Sequence, residues 1–392
     1  MASTGHRGDS EKREDEKRKR EEDCEDGSKE MKKRREDDRI LEDEEPRAGG
    51  SQDPVTSSPY PKFNINRFTF HQVLGRGSFG IVLLASVPRR NTYVAIKSIR
   101  KTGDNAVALR RERRILLEAR DCPFLCHLYA AHQSQERAYF ITEYLSGSSL
   151  EALIKMCGYL DINNVRFYTA EIVCGLQFLH GHNIVHRDIK PENIMLDKDG
   201  HIRIIDLGLA QDGVTSSNKT SGVTGTHCFM APEVFVGMEY YTAVDWWSLG
   251  IVVSRMSSGR SPFYYGPIRK EAYKSITRAK PYIPSWLDAD VQHLIKKLLR
   301  KNPDRRLGVY KNIRHHPFFN SIVWEELEER RAQPPCVPFR AALENKYLQW
   351  PKDTTPLHPV AGFSYVSPSL ARISPCLLPR ALCLLIHISA AV

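Results

Sequence analysis

Apolar and polar residues change their rhythm twice along this chain. Up to residue 60 the sequence is almost free of aliphatic residues, with Ile40-Leu41 the first pair, and it closes on a Gly/Ser/Pro stretch from Gly49 to Pro61. Such a segment buries too little apolar surface to offset its ordering entropy, so residues 1–60 are expected to be a disordered charged arm. From Phe68 the texture becomes β-like. Phe68–Leu74, Ile81–Val87 and Thr92–Ile99 alternate or run apolar with β-branched residues, and Leu125–His132 and Arg137–Tyr144 continue the pattern. Between them, Ala106–Ala119 is a charged helix with Leu109, Ile115 and Leu116 on one face. Beyond Ser146 the period turns helical, over Leu150–Met156, Ile162–His182, Ala243–Ser257, Lys270–Thr277 and Asp288–Leu299, with short strands at Asn183–Val185 and Ile202–Ile205. The pattern therefore predicts an α+β fold: a small β-rich lobe over 68–145, then a larger, mainly helical lobe over 146–319.

Charge and cysteine usage narrow the setting. The net charge of +10 conceals a split: residues 1–47 hold 14 Lys/Arg against 18 Asp/Glu, and the remainder holds 43 against 29. A basic folded part suits either acidic lipid or nucleic-acid surfaces or a surplus of solvated lysines. No nucleic-acid reading motif or aromatic platform accompanies it, so a nucleic-acid role is not expected. Nine cysteines lie unpatterned along the chain, which indicates reduced thiols and a cytoplasmic or nuclear setting. Lys19-Arg20 and Lys32-Lys33-Arg34-Arg35, eleven residues apart, fit a two-part import signal or a solvated charge run. No run of eighteen apolar residues occurs, so no transmembrane segment is expected; Cys376–Val392 is apolar but short.

The chemistry concentrates in two loops. His186-Arg187-Asp188-Ile189-Lys190-Pro191-Glu192-Asn193 places a carboxylate, an ammonium and an amide on one loop, and Asp206-Leu207-Gly208 follows thirteen residues after Asn193. That set suits phosphoryl transfer from ATP, with one Asp orienting a hydroxyl and Asn plus a second Asp holding Mg²⁺. Upstream, Gly75-Arg76-Gly77-Ser78-Phe79-Gly80-Ile81-Val82 lies between two strands, where glycines let a hairpin expose its N–H groups to phosphates. A strand rather than a helix follows, which argues against a dinucleotide fold. Val94-Ala95-Ile96-Lys97 sets one lysine in an apolar strand, a costly placement without a partner such as Glu112.

In this order, with Ala231-Pro232-Glu233 behind them, the motifs resemble a eukaryotic protein kinase domain over residues 68–319, closing on His316-Pro317-Phe318-Phe319. Lys190 looks like the serine/threonine subclass. Tyr241 to Gly250 and Ser261-Pro262-Phe263 resemble the AGC group; Arg305-Arg306-Leu307-Gly308 and Asn312-Ile313-Arg314 look like novel-type (delta/theta-like) protein kinase C. The resemblance implies a two-lobed kinase that binds ATP and Mg²⁺. Asp188 and Lys190 would be catalytic and Asn193 and Asp206 the metal ligands. ATP would lie among Leu74, Gly75, Gly77, Ser78, Gly80, Val82, Ala95, Lys97, Glu112, Thr142 (gatekeeper), Glu143, Leu145 and Met195. Glu233 and Arg306 would form a buried ion pair. Protein substrates, an upstream activating kinase and a monomeric state are implied as well.

Several positions depart from the family pattern. Leu207 replaces the usual Phe, and His227 a customary residue facing the substrate. Gly222 stands where AGC kinases carry an activating Thr, leaving Thr220, Ser221 and Thr224 as substitute phosphosites or a loop that needs no phosphate. Of three acidic positions that grip basic substrates in relatives, Glu192 is kept while Ser149 and Arg255 fill the others. Residues 320–368 resemble an AGC tail, with Thr355 and Ser364 as candidate phosphosites, but Val360 replaces its first aromatic and an Asn-Phe-Asp tether near 342–350 is missing. Residues 369–392 fit neither a kinase tail nor a membrane anchor. The lipid- and calcium-binding regulatory modules of protein kinase C have no counterpart in the sequence. A catalytically weak scaffold that binds ATP or partners is the alternative reading.

Overall fold

A computed structural model describes residues 65–77, 80–87, 92–264, 269–335, 360 and 363–367. All of them fall within one unit, Pro59–Val392. The small lobe is a six-stranded antiparallel sheet in the order β1-β2-β3-β5-β4-β8. Its strands are β1 (Thr69–Gly77), β2 (Gly80–Ser86), β3 (Tyr93–Arg100), β4 (Leu128–Gln133), β5 (Arg137–Glu143) and β8 (Tyr365–Val366). Strand β3 shows how the sequence builds the site. Side chains alternate across a strand, so Val94, Ile96 and Ser98 are buried on the side away from the cleft, the first two packing with Leu83, Ala85, Tyr139 and Ile141. Ala95 and Lys97 point to the other face. The register pairs Val82 with Lys97 and Ala95 with Thr142, so these four share that face.

Helix α1 (Ala106–Glu118) lies beside the sheet, burying Leu109, Glu112, Ile115 and Leu116 along one stripe. A carboxylate in an apolar stripe is costly alone, and its placement beneath Lys97 accounts for it. Helix α2 (Leu150–Cys157) is capped by Ser149, whose hydroxyl accepts from the Ala152 N–H. Asp161 caps α3 (Ile162–Gly181) by accepting from the N–H groups of Asn163 and Asn164.

A two-stranded hairpin follows, β6 (Ile194–Leu196) with β7 (Ile202–Ile204). Because Ile194 pairs with Ile204, Asn193 and Asp206 emerge at the same end of this hairpin, and the Ile205 N–H donates to the Asn193 carbonyl at 2.9 Å. The expected strand at Asn183–Val185 is not formed. Asn183 has a left-handed φ of 58°, which breaks extension, and Val185 makes only an isolated bridge to Gln211.

Beyond the short helix α4 (Pro232–Phe235), α5 (Ala243–Ser258) is buried nearly all round and forms the axis of the large lobe. Helices α6 (Arg269–Thr277), α7 (Ala289–Leu298) and α8 (Trp324–Glu328) complete it. Arg306 is fully buried and grips Glu233 with both ends of its fork, at 2.7 and 3.0 Å, while donating to the Ala243 carbonyl. The expected ion pair is therefore bidentate and ties the Ala-Pro-Glu segment to α5. Among the described residues no helix is long and apolar enough to cross a membrane.

Candidate active site

The sheet face and α1 converge on Lys97. Its ammonium lies 2.6 Å from Glu112 Oε1 and 2.7 Å from Asp206 Oδ1. Burial alone would push this lysine down, but the two carboxylates outweigh it and hold its pKa above the ordinary value. Burial would likewise raise Asp206, yet Lys97, by charge and by hydrogen bond, keeps its carboxyl below the usual range. Asp206 itself has a left-handed backbone, φ 61°, a strained state that persists only where surroundings enforce it. Gly208 completes the junction: a Cβ there would meet Lys97 Nζ at 2.8 Å and Glu112 Oε2 at 3.3 Å. Only glycine leaves room for the ion pairs. Leu207, in place of Phe, is buried.

The second group is built on the loop after α3. Asp188 is buried and every side of its carboxylate is engaged. Oδ2 lies 2.7 Å from Lys190 Nζ and 3.0 Å from the Asn193 amide nitrogen. Oδ1 accepts from the Thr226 N–H at 2.9 Å and the Thr226 hydroxyl at 2.7 Å, and that hydroxyl accepts from Lys190 at 2.8 Å. Thr226 reaches Asp188 because Gly225 (φ 108°) runs against the Arg187 carbonyl, where a Cβ would come within 2.3 Å. Arg187 is also left-handed, φ 69°. Its strain is held by Asp245, fully buried in α5, which accepts from the N–H groups of His186 and Arg187, each at 2.9 Å, and from His180 Nε2 at 2.9 Å. Burial would raise the Asp245 pKa, but His180 outweighs it and the carboxyl stays below its ordinary value.

The remaining residues named from sequence fall around the cleft with different degrees of contact. Gly75, Gly77 and Gly80 lie at the β1–β2 turn, with Gly77 paired to Gly80; Ser78 lies outside the described residues. Leu74 is 40 % exposed at the cleft mouth. Thr142 donates to the Ala95 carbonyl at 3.4 Å. Met195 bridges to Ser149, and Leu145 is buried. The Glu143 side chain turns away from the nucleotide side, accepting from the His127 N–H at 2.9 Å with Arg203 3.7 Å off.

Metal binding is compatible with the donors present. Asp206 and Asn193 offer hard oxygens at one end of the β6–β7 hairpin. The Asn193 amide nitrogen is committed to Asp188, which turns the amide oxygen outward. Among the described residues no cluster of three or more His, Cys, Asp or Glu exists, so a divalent cation held by these two groups would need further ligands from outside the protein.

The segment after Gly208 is tied by backbone and tyrosine hydrogen bonds. Thr220 and Tyr240 exchange two backbone hydrogen bonds at 2.9 and 2.8 Å. The Tyr240 hydroxyl donates to the Gly222 carbonyl at 3.1 Å, and the Arg187 guanidinium donates to Leu209 O at 2.6 Å and to Tyr240 Oη at 3.4 Å. Asp212 pairs with Arg114 of α1. Ser221 is exposed, and Thr220 and Thr224 are half-buried. In the tail, Val360 docks by its backbone, with its N–H donating to Gln133 Oε1 at 2.8 Å and its carbonyl accepting from Gln133 Nε2 at 3.0 Å. Phe363 is fully buried edge-on to Phe140 at 5.3 Å, and Ser364 is exposed. Thr355, the 342–350 stretch and 369–392 lie outside the described residues.

Thr226, Asp245, His180, Tyr240 and Gln133 escaped the sequence reading as site residues. Asp245 and Thr226 sit inside stretches whose family likeness was visible, and that likeness was the only available signal.

Comparison with known proteins agrees with this geometry. The family model described as protein kinase domain matches residues 68–319. Human protein kinase C delta type is 41% identical over 281 residues, covering 71% of this chain and 41% of the human protein. Protein kinase C-like 1 of Caenorhabditis elegans is 37% identical over 302 residues (74% and 42%), and rabbit protein kinase C epsilon type 34% over 314 residues (75% and 42%). The chain spans less than half the length of these curated relatives. With the cleft, the family model and these relatives in agreement, the chain belongs to the protein kinase domain family, among its protein kinase C-like members.

Proposed function

We propose that this chain is a serine/threonine protein kinase that transfers the γ-phosphate of ATP to hydroxyls of protein substrates. The observation that carries the reading is the pair of engaged clusters across one cleft, Lys97–Glu112–Asp206 and Asp188–Lys190–Asn193. Binding alone requires neither all six groups nor the strained backbones at Arg187 and Asp206.

In this reading Leu74, Val82, Ala95 and Met195 enclose the adenine, with Thr142 behind it and the backbone of Glu143 and Leu145 along its edge. The Gly75–Gly80 hairpin covers the phosphates, and Lys97 neutralises the α- and β-phosphates. Asn193 and Asp206 would hold Mg²⁺, which when bound would neutralise phosphate charge. Asp188 orients the acceptor hydroxyl and takes its proton, and Lys190 offsets charge on the γ-phosphate. The fixed network keeps reorganisation small as charge moves.

The test is Mg-ATP with a Ser/Thr peptide panel, comparing the wild type with Asp188→Asn and Asp206→Asn. Asp188→Asn is expected to keep nucleotide affinity and lose about 10³-fold in turnover, the scale of a lost general base. Asp206→Asn is expected to lose transfer together with Mg²⁺-dependent ATP binding. Background signal from all three proteins, with ATP still bound by the wild type, would instead favour a scaffold.

A further inference from the structure

A second charged feature flanks the cleft and takes no part in the chemistry above. Arg255 stands in the last turn of α5 and reaches Glu151, in the first turn of α2. Its Nη2 donates to Glu151 Oε1 at 3.0 Å and lies 2.9 Å from Oε2. Lys155, one turn along α2, is 3.3 Å from the same Oε1. Two cations therefore share one carboxylate, leaving a surplus positive charge. The Arg255 side chain keeps about a quarter of its surface in solvent (24 %), and its Nε and Nη1 donors make no hydrogen bond among the described residues. One corner of the fork is pinned while part of the side chain stays open to solvent, so less rotamer entropy remains to be lost on binding a carboxylate.

Its neighbours place it along the route of an acceptor segment. On one side, Ser149 caps α2 and bridges Met195 in β6, so the α2 N-terminus abuts the nucleotide side of the cleft. On the other side is the exposed Cys228, two residues after the Thr226 that hydrogen-bonds Asp188. The Cys228 thiol feels the fields of both Arg255 and Glu192, although burial dominates and raises its pKa. Glu192 is exposed between Lys190 and Asn193. Arg255 thus borders the stretch where a peptide must lie to bring a hydroxyl to Asp188.

Resting on the phosphotransfer reading, we infer that Arg255 is a specificity-determining residue: it selects acceptor segments that carry an Asp or Glu close to the Ser or Thr, and it weakens those that carry a lysine there. A bare structural tie between α2 and α5 does not require the surplus charge, because Lys155 already offsets Glu151.

The test uses three matched series of peptides with one Ser acceptor, in which a single Glu, Gln or Lys is walked through the positions on both sides. The quantity read is the Glu-to-Lys ratio of kcat/KM at each position within one protein, which partial unfolding does not alter. The wild type is expected to favour Glu by about five- to tenfold at one position, the scale of a partly exposed charge contact. Arg255→Gln is expected to bring that ratio close to one, and Arg255→Lys to keep most of it. Glu192→Gln, which removes an exposed negative charge between Lys190 and Asn193, is expected to leave the ratio intact or raise it. A wild-type ratio of one or below at every position overturns the inference, as does an Arg255→Gln ratio equal to that of the wild type; both leave the kinase reading standing. If no peptide of any series is phosphorylated while ATP is bound, the phosphotransfer reading fails and the inference falls with it.

Discussion

The catalytic loop and the activation segment meet at Asp188 and Thr226, yet they are held by different means. In the loop, His186, Asp188, Ile189 and Asn193 are buried, and the carboxylate of Asp245 fixes two backbone N–H groups from below. In the segment, Lys219, Ser221 and Gly222 are exposed and Val223 is 50 % exposed. There, two backbone hydrogen bonds and one tyrosine hydroxyl hold the chain. Toward its far end the segment regains buried anchors: Phe229, whose carbonyl accepts from the Ser248 hydroxyl, and Glu233, gripped by Arg306. Buried, charge-assisted contacts fix one geometry firmly; neutral, partly buried contacts of about 1 kcal/mol each hold a segment less tightly. The proposed catalytic groups thus sit on the more deeply buried of the two parts.

Four variants break or sharpen that contrast. The largest effect is expected for Arg306→Ala, which leaves Glu233 buried and uncompensated. A loss of about 3–5 kcal/mol follows for removal of one partner from a buried pair, read as a lower Tm and a shallower urea midpoint, with activity falling in step with folded protein. Failure to lower Tm would show the far anchor to be no stronger than the exposed ties.

Next, Asp245→Asn replaces an acceptor of three hydrogen bonds with an amide that turns a donor toward N–H groups. The expected cost is about 1–3 kcal/mol, with a fall in kcat larger than the change in KM. This effect carries a pH signature. The folded-state pKa of Asp245 lies below its ordinary value of 3.8, so its carboxylate stabilises fully above 3.8 and loses that contribution as pH falls through the lower, folded value. The gap in stability between wild type and variant should be full at neutral pH and close only below pH 3.8. A gap that closes between pH 5 and 7 would contradict the assignment.

The smallest effect is expected on the segment itself. Tyr240→Phe removes the donor to Gly222 and the acceptor for Arg187, at a cost of about 1 kcal/mol. It should speed proteolytic cleavage near Ser221–Val223 and lower activity a few-fold. By contrast, the triple replacement of Thr220, Ser221 and Thr224 by Ala should retain activity within about twofold, because the tie to Tyr240 runs through backbone atoms. Loss of activity in the triple variant with Tyr240→Phe silent would mean that a phosphate, and not Tyr240, orders the segment.

How much of this was visible beforehand follows from the range of each contact. Local patterning located β1 to β5, the hairpin strand β7, and α1, α2, α3, α5, α6 and α7 to within a few residues, through one-sided periodicity in most and apolar runs in those buried all round, such as α5 and β7. It failed at Asn183–Val185, where a left-handed residue interrupts an apolar run, and it passed over β8, whose two residues are too few for any period. The Glu143 carboxylate, whose partners no local pattern indicates, turns to His127 and Arg203.

By itself, the sequence determined which groups this protein owns and their order: a lysine in an apolar strand, a glutamate in an apolar stripe, and an Asp–Lys–Asn loop followed by a second Asp. Those features are local, because burial and spacing impose them within a few residues. Tertiary structure decided most of what holds them, although the Lys97–Glu112 pair was expected from the sequence. Lys97 and Asp206 are 109 residues apart in the chain, and Gln133 and Val360 are 227 apart. Arg187 could not be assigned to Tyr240, nor Arg255 to Glu151, until the fold set their partners within reach. Coulombic and hydrogen-bond energies depend on distance in space, and no pattern along the chain encodes that distance.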